Sequence, residues 1–218
     1  MNFLEDITIC SVDCVNHKKA IAAMLYSMQF FNFKESIFIS DQQKVKTDKI
    51  KYIQIDKIKS KEEYSKFILV DLNKFINTKY VLIIQHDGFI INPNSWENSF
   101  LEYDYIGAPW KNDEYINKVG NGGFSLRSKK LLEFISNKYK EKQIIFNEDL
   151  EICNQSYNEL IDNGFKFPDI KTAFKFSIEH KRPEFFDKPF GFHGFPFTKI
   201  GMESKLKIME WSKNENLY

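Results

Sequence analysis

The sequence predicts an α/β fold, a Rossmann-like three-layer sandwich with a mostly parallel central sheet, and three observations carry that expectation. In the stretch KYVLIIQHDGFIINP, five consecutive residues from Tyr80 to Ile84 form an apolar run. A run without alternation reads as a strand buried on both faces. The chain also opens with a strand, helix, strand order, the start of a parallel sheet. Neither GxGxxG nor GxxxxGK[ST] occurs, which sets aside the dinucleotide and P-loop versions of such a sheet.

Taken in order, residues 6–12 read as the first strand, and a helix follows with Ile21, Leu25 and Met28 at helical spacing. Residues 36–40 form the second strand, ended by Asp41. The Lys-rich segment 44–61 carries a short solvated strand in KIKYIQID. Residues 64–75 read as a helix that delivers the chain into the central strand. A short helix is expected over 96–101, then a turn-rich YIGAPW at 105–110.

VGNGGFSLRS at 119–128 holds three of the nine glycines. A Gly-Gly step before a short apolar strand suits a loop that lets a ligand lie against the main chain, and it equally suits a hairpin turn. Ser128 is placed to cap a helix burying Leu131, Leu132 and Ile135. Asn147 is placed to cap another, with Glu148 and Asp149 in its first turn, Leu150, Cys153, Tyr157 and Leu160 on one face, and Gly164 past its end. FKFPDI and AFKFSI then alternate like strands, and residues 202–211 read as an amphipathic helix using Met202, Leu206 and Met209.

With 218 residues, 43% hydrophobic and 28% charged, the chain reads as one globular domain spanning 1–218. Its 31 basic and 30 acidic side chains leave no charge excess to attract nucleic acid or an anionic membrane. The acidic start MNFLEDITIC is unlike a signal peptide and no apolar run reaches the roughly 20 residues of a membrane span, so a cytoplasmic protein is expected. Cys10, Cys14 and Cys153 cannot all pair and lack CxxC spacing, so they read as buried thiols. Of the 22 Phe, several crowd DKPFGFHGFPF, a composition suited to a substrate-facing loop or to a packed core.

Ligands gather at the carboxyl ends of the strands in open α/β sheets, and the central run ends there in Gln85, His86 and Asp87. Asp87 is therefore a candidate metal or substrate group, though an Asp that binds its own backbone in a turn has the same signature.

A strand ending in Gln-x-Asp, then YIGAPW, GNGGFSLR and an acidic pair, in that order, resembles the GT-A glycosyltransferases over residues 80–194. The resemblance implies a metal-dependent, hexosyltransferase-like enzyme that moves a sugar from a nucleotide-activated donor, UDP-linked, to a glycan or other hydroxyl acceptor with inversion. Residues 1–110 would be the nucleotide-binding half, and 111–218 the acceptor-binding half with its aromatic tail. In that family an Asp-x-Asp motif holds a divalent cation against the donor diphosphate. Here Gln85 replaces the first acid, leaving Asp87 as a metal ligand with His193 in GFHG as its partner, while Gln85 and His86 stand by the donor. Gly122, Gly123 and Ser125 resemble the loop lining the donor sugar, Asp149 resembles the acceptor base, and Glu148 joins it. A diphosphate leaving group calls for a hard cation such as Mg²⁺, and an imidazole ligand tilts the choice toward Mn²⁺. The lost first acid also admits a degenerate sugar-nucleotide-binding protein. A metal-dependent nucleotidyltransferase or hydrolase is a third reading, weakened by the absence of a phosphate loop and of a three-acid cluster.

Overall fold

Six strands form the central sheet in the order β3-β2-β1-β4-β7-β6: β1 (Asn2–Val12), β2 (Phe31–Ser40), β3 (Lys51–Gln54), β4 (Tyr80–Ile84), β6 (Tyr105–Ile106) and β7 (Phe124–Ser128). The computed structural model describes residues 2–111, 115–180, 188–195 and 199–215. β1 to β4 run parallel, and β7 is antiparallel to both β4 and β6, so the sheet is mostly parallel as its apolar runs predict. β4 lies between β1 and β7 with Val81 to Ile84 buried, the double-faced burial that an unalternating run signals. A small second sheet joins β5 (Gly88–Ile90), β9 (Gly191–His193) and β8 (Ser177–Ile178) in the order β5-β9-β8.

One face of the main sheet packs Ile7, Ile9, Phe38, Leu82 and Leu126 against α1 (His17–Met28) and the aromatic group Phe89, Phe100, Phe124, Phe176, Phe190 and Phe192. The other face sets Cys10, Ile37, Ile39, Val81 and Ile83 against Ile68, Leu72 and Leu132. Ser128 caps α3 (Lys129–Tyr139) as expected, its Oγ accepting from Leu131 N at 3.2 Å, and Leu131, Leu132 and Ile135 are buried. Gly164 follows α5 (Tyr157–Asp162) with φ +79°, the left-handed residue that ends a helix.

Several local expectations are corrected. The helix expected over 64–75 begins at Lys61, where Ser60 Oγ accepts from Glu63 N, and only α2 (Lys61–Lys66) is α-helical before π and 3-10 turns carry the chain to Phe75. Residues 96–101 give 3-10 turns instead of a helix. YIGAPW is not simply a turn, because Tyr105 and Ile106 pair with Arg127 and Leu126. The alternation in FKFPDI and AFKFSI misleads: Asp169 accepts from Thr172 N at 2.6 Å and caps α6 (Ile170–Phe176), leaving only Ser177 and Ile178 as strand. Asn147 makes no side-chain cap at α4 (Glu148–Leu150), where Ser65 Oγ takes the Glu148 N–H and the Asp149 carboxylate takes that of Leu150.

On α7 (Lys199–Asn214) the packed face is Ser204, Ile208, Trp211 and Ser212, while Met202, Leu206 and Met209 are exposed, the reverse of the sequence expectation. Likewise Leu25 and Met28 lie at the margin of α1, which buries Ala20, Ile21 and Met24. In DKPFGFHGFPF, Phe190 and Phe192 have no exposure and belong to the core, which decides that motif in favour of packing. Residues 187, 196 and 197 of the same motif lie outside the described residues. Among the described residues no helix is long and apolar enough to cross a membrane.

Candidate active site

From β1 the chain steps outward through β2 to β3, then returns to lay β4 on the other side of β1. The carboxyl ends of β1 and β4 therefore splay apart, and a crevice opens at this switch point. It is a cleft of about 650 Å³, walled by Asp13 and Asn16 after β1, Gln85 and His86 after β4, Asn121 and Gly123 of the glycine loop, and Asn147, Glu148, Asp149, Glu179 and His193. Segments from distant parts of the chain thus close on one space.

The first cluster is built on the small sheet. β5 pairs Gly88 with His193, and Gly194 N donates to the Asp87 carbonyl at 3.0 Å, which brings the late His beside the Asp. His193 Nε2 is 3.4 Å from Asp87 Oδ1 and 3.1 Å from Gln85 Oε1, while its Nδ1 is 3.1 Å from Glu179 Oε1. Gln85 is itself oriented, its Nε2 donating to the Tyr64 hydroxyl at 3.2 Å. Burial by itself would lower His193, but the flanking Asp87 and Glu179 carboxylates override it and push the imidazole up to about 9. Burial would raise Asp87, and the His193 imidazole, helped by His86, instead holds its carboxyl below the usual range. His86 is partly exposed, 3.7 Å from Asp87 Oδ1 and 3.9 Å from Asp13 Oδ2.

A second cluster sits across the glycine loop. Asp149 accepts from Gly122 N at 3.1 Å through Oδ2 and from Leu150 N at 2.8 Å through Oδ1. Glu148 is buried, its Oε1 3.3 Å from Nη2 of Arg127, a side chain with no exposure at all. Burial and then the neighbouring Glu148 charge raise the Asp149 carboxyl to about 7, against the Gly122 N–H and Arg127. Between the clusters the glycines are required by space: a Cβ on Gly123 would stand 2.2 Å from the His193 ring, and one on Gly122 2.5 Å from Glu148 Oε1. Ser125 is beneath the loop, fully buried, with its hydroxyl donating to the Gly122 carbonyl at 3.0 Å.

Sequence reasoning missed Asp13, Tyr64, Arg127 and Glu179. Glu179 carries a signal like that of Asp87, an acid directly after a strand, and Arg127 is a lone cation inside the fully buried strand FSLRS. Tyr64 gave no such sign, because its role depends on a Gln 21 residues away.

Among the described residues no three His, Cys, Asp or Glu side chains stand as a metal-holding group. The donors nevertheless fit a leaner site. Asp87 Oδ1 is buried without a hydrogen-bond partner, and His193 Nε2 faces the same space. A hard carboxylate with one imidazole suits Mn²⁺ or Mg²⁺ when the remaining ligands come from phosphate and water.

Residues 47–193 match the family described as protein of unknown function (DUF5672), and the chain belongs to that family. No curated protein matches the sequence. Among solved structures, the galactosyltransferase LgtC in complex with donor and acceptor sugar analogues is 10% identical, with 95% of each chain covered and a TM-score of 0.52. The glycosyltransferase GlyE of Streptococcus pneumoniae TIGR4, in its apo form, is 12% identical over 96% of this chain, with a TM-score of 0.48. The mannosyltransferase PcManGT of Pyrobaculum calidifontis, in complex with GDP-Man and Mn²⁺, is 8% identical over 76% of this chain, with a TM-score of 0.48. The chain spans 64% of the GlyE chain and 55% of the mannosyltransferase. The fold is that of the GT-A glycosyltransferases.

Proposed function

We propose that the chain is a metal-dependent glycosyltransferase that moves a sugar from a nucleotide-activated donor, UDP-linked, to a hydroxyl of a glycan or similar acceptor, with inversion. One observation carries the reading: His193, with Asp87 Oδ1 3.4 Å from its Nε2, and the half-buried Asp149 line one crevice at the sheet's switch point, on either side of Gly122 and Gly123. Asp87 and His193 would hold the cation, which supplies positive charge to a departing diphosphate. Gln85 and His86 would line the donor side, Gly123 gives the sugar a main-chain wall, and Ser125 keeps the loop in shape from below.

Transfer needs a proton taken from a weakly acidic hydroxyl as the anomeric carbon gains oxocarbenium character. Asp149 is suited to that task, because burial and Glu148 make it a stronger base than a free carboxylate. With Asp149 acting as base, the acceptor hydroxyl displaces the diphosphate directly, and a single displacement inverts the centre. Free buried thiols at Cys10, Cys14 and Cys153 suit the cytoplasm.

The test begins with melting of the protein against nucleoside diphosphates and sugar nucleotides, with and without Mn²⁺. A ligand of the folded state present at about a hundred times its Kd stabilises by about 2.7 kcal/mol. One nucleotide that raises the Tm only with Mn²⁺ sets the donor class, and slow Mn²⁺-dependent hydrolysis of its sugar ester separates a transferase from a binding protein. No response to any nucleotide would sink the reading.

A further inference from the structure

Among the described residues Arg127 is the largest fully buried side chain, set in β7. A guanidinium stripped of water persists only where acceptors and anions surround it. Its Nε donates to Ser125 Oγ at 3.1 Å, and that hydroxyl in turn holds the Gly122 carbonyl at 3.0 Å. Its Nη2 is 3.3 Å from Glu148 Oε1 and 3.5 Å from the Tyr105 hydroxyl, whose ring lies 4.9 Å from the guanidinium carbon. Nη1 has no hydrogen-bond partner. Since the Gly122 N–H is the donor to Asp149 Oδ2, one buried cation holds, through Ser125, the carbonyl of the residue whose N–H orients Asp149 and, directly, the carboxylate beside it. A Cβ on Gly122 would lie 2.9 Å from Nη2 and 3.2 Å from the Asp149 Cβ, so nothing larger than glycine passes between them.

We infer that Arg127 is the positioning residue of the base: through Ser125 it anchors the carbonyl of Gly122, whose own N–H meets Asp149, and through Nη2 it holds Glu148 next to it. Its bearing on catalysis rests on the glycosyl-transfer reading; the arrangement itself does not. The charged and titratable groups around Asp149 are Glu148 on the same turn, Arg127 and Tyr105 on the paired strands, and Cys153 on the turn that follows. Glu148 is then a member of the site that acts through its charge instead of by touching the acceptor.

Two variants are compared, Glu148→Gln alone and Glu148→Gln with Arg127→Met, the second of which leaves no unpaired buried charge. The readouts are the Asp149 titration by carboxylate ¹³C NMR, assigned through Asp149→Asn, and hydrogen exchange of the Gly122 amide. Losing Glu148 alone should lower the Asp149 midpoint by about one unit. Adding Arg127→Met should bring the midpoint back up and speed Gly122 exchange about tenfold or more, because the Ser125 hold and the nearby cation go together. If the Asp149 midpoint and the Gly122 protection are the same in both variants, or if the double variant, folded, keeps wild-type Gly122 exchange, Arg127 only fills and neutralises the core and the inference is overturned. Neither readout needs a donor, so failure of the glycosyl-transfer reading shows separately, as absence of nucleotide binding by the wild-type chain.

Discussion

On one side of Gly122 and Gly123 an imidazole stands between two carboxylates, and on the other a carboxylate stands beside a second carboxylate with a guanidinium beneath. Both clusters set acids around one crevice, yet they hold protons oppositely. His193 gathers the proton while Asp87 is kept ionised, whereas Asp149 is pushed up to about 7 by burial and by Glu148. The teaching is that the sign of the nearest neighbour, not the residue type, sets the chemistry a carboxylate can do. Asp87 is held ionised by its imidazole neighbours, and Asp149 is held toward its protonated form.

The comparison breaks most sharply at Asp149. Asp149→Asn should lower transfer about 10² to 10⁴-fold while Mn²⁺-dependent nucleotide binding stays at the wild-type level, measured by steady-state rates beside calorimetry. Full transfer by the folded variant, or retained anomeric configuration in the wild-type product by NMR, would remove Asp149 from the base role.

Next in size is the cation side. Asp87→Ala should weaken nucleotide affinity in Mn²⁺ by a factor on the order of 10² or more, and His193→Ala by less, since water and phosphate can replace one imidazole. Unchanged calorimetric affinity in Asp87→Ala would dismiss the pair as a metal site.

The two glycines should separate the clusters. Gly123→Ala drives a Cβ into the His193 ring and Gly122→Ala into Glu148 and Arg127, each overpacking at about 1–3 kcal/mol. The first should lose nucleotide binding before transfer geometry, and the second should leave nucleotide binding while slowing transfer. Identical binding losses in both would mean that the loop responds as one unit.

The smallest effect lies in stability against pH. The folded protein holds the Asp149 proton more tightly than the unfolded chain, about 7 against 3.8, so between those values folding takes up a proton and stability falls as pH rises. Asp149→Asn should flatten that slope and melt higher than wild type above pH 7, read from Tm across the window. The same ionisation should appear as an acidic limb in the transfer rate, since only the carboxylate accepts a proton. A wild-type slope that survives in Asp149→Asn would assign it to other groups.

How far the site could be read in advance depended on distance along the chain. Asp87, Gly122, Gly123 and the Glu148–Asp149 pair stood out because each lies where an expected element ends or opens, while His193 was reached through the family resemblance. The face of α7 and the strands expected in FKFPDI and AFKFSI went the other way for a common reason: a pattern of apolar residues says that a segment is amphipathic, and the choice of what it packs against lies elsewhere. Met202, Leu206 and Met209 form an apolar stripe that α7 leaves exposed, while Ser204 and Ser212 are the side chains buried beside Ile208.

By itself the sequence determined the buried central strand, the Ser128 cap, the turn at Gly164 and the order of polar clusters, because periodicity, capping and positive φ are properties of a few neighbouring residues. Only the tertiary structure decided which groups meet. Gln85 and His193 are 108 residues apart and touch because β5 and β9 pair, and Arg127 reaches Glu148 only because β7 runs under the cleft. Proton affinity and cation binding fall off over a few ångströms, so the chemistry of each acid belongs to the neighbour that folding brings, which no local pattern can name.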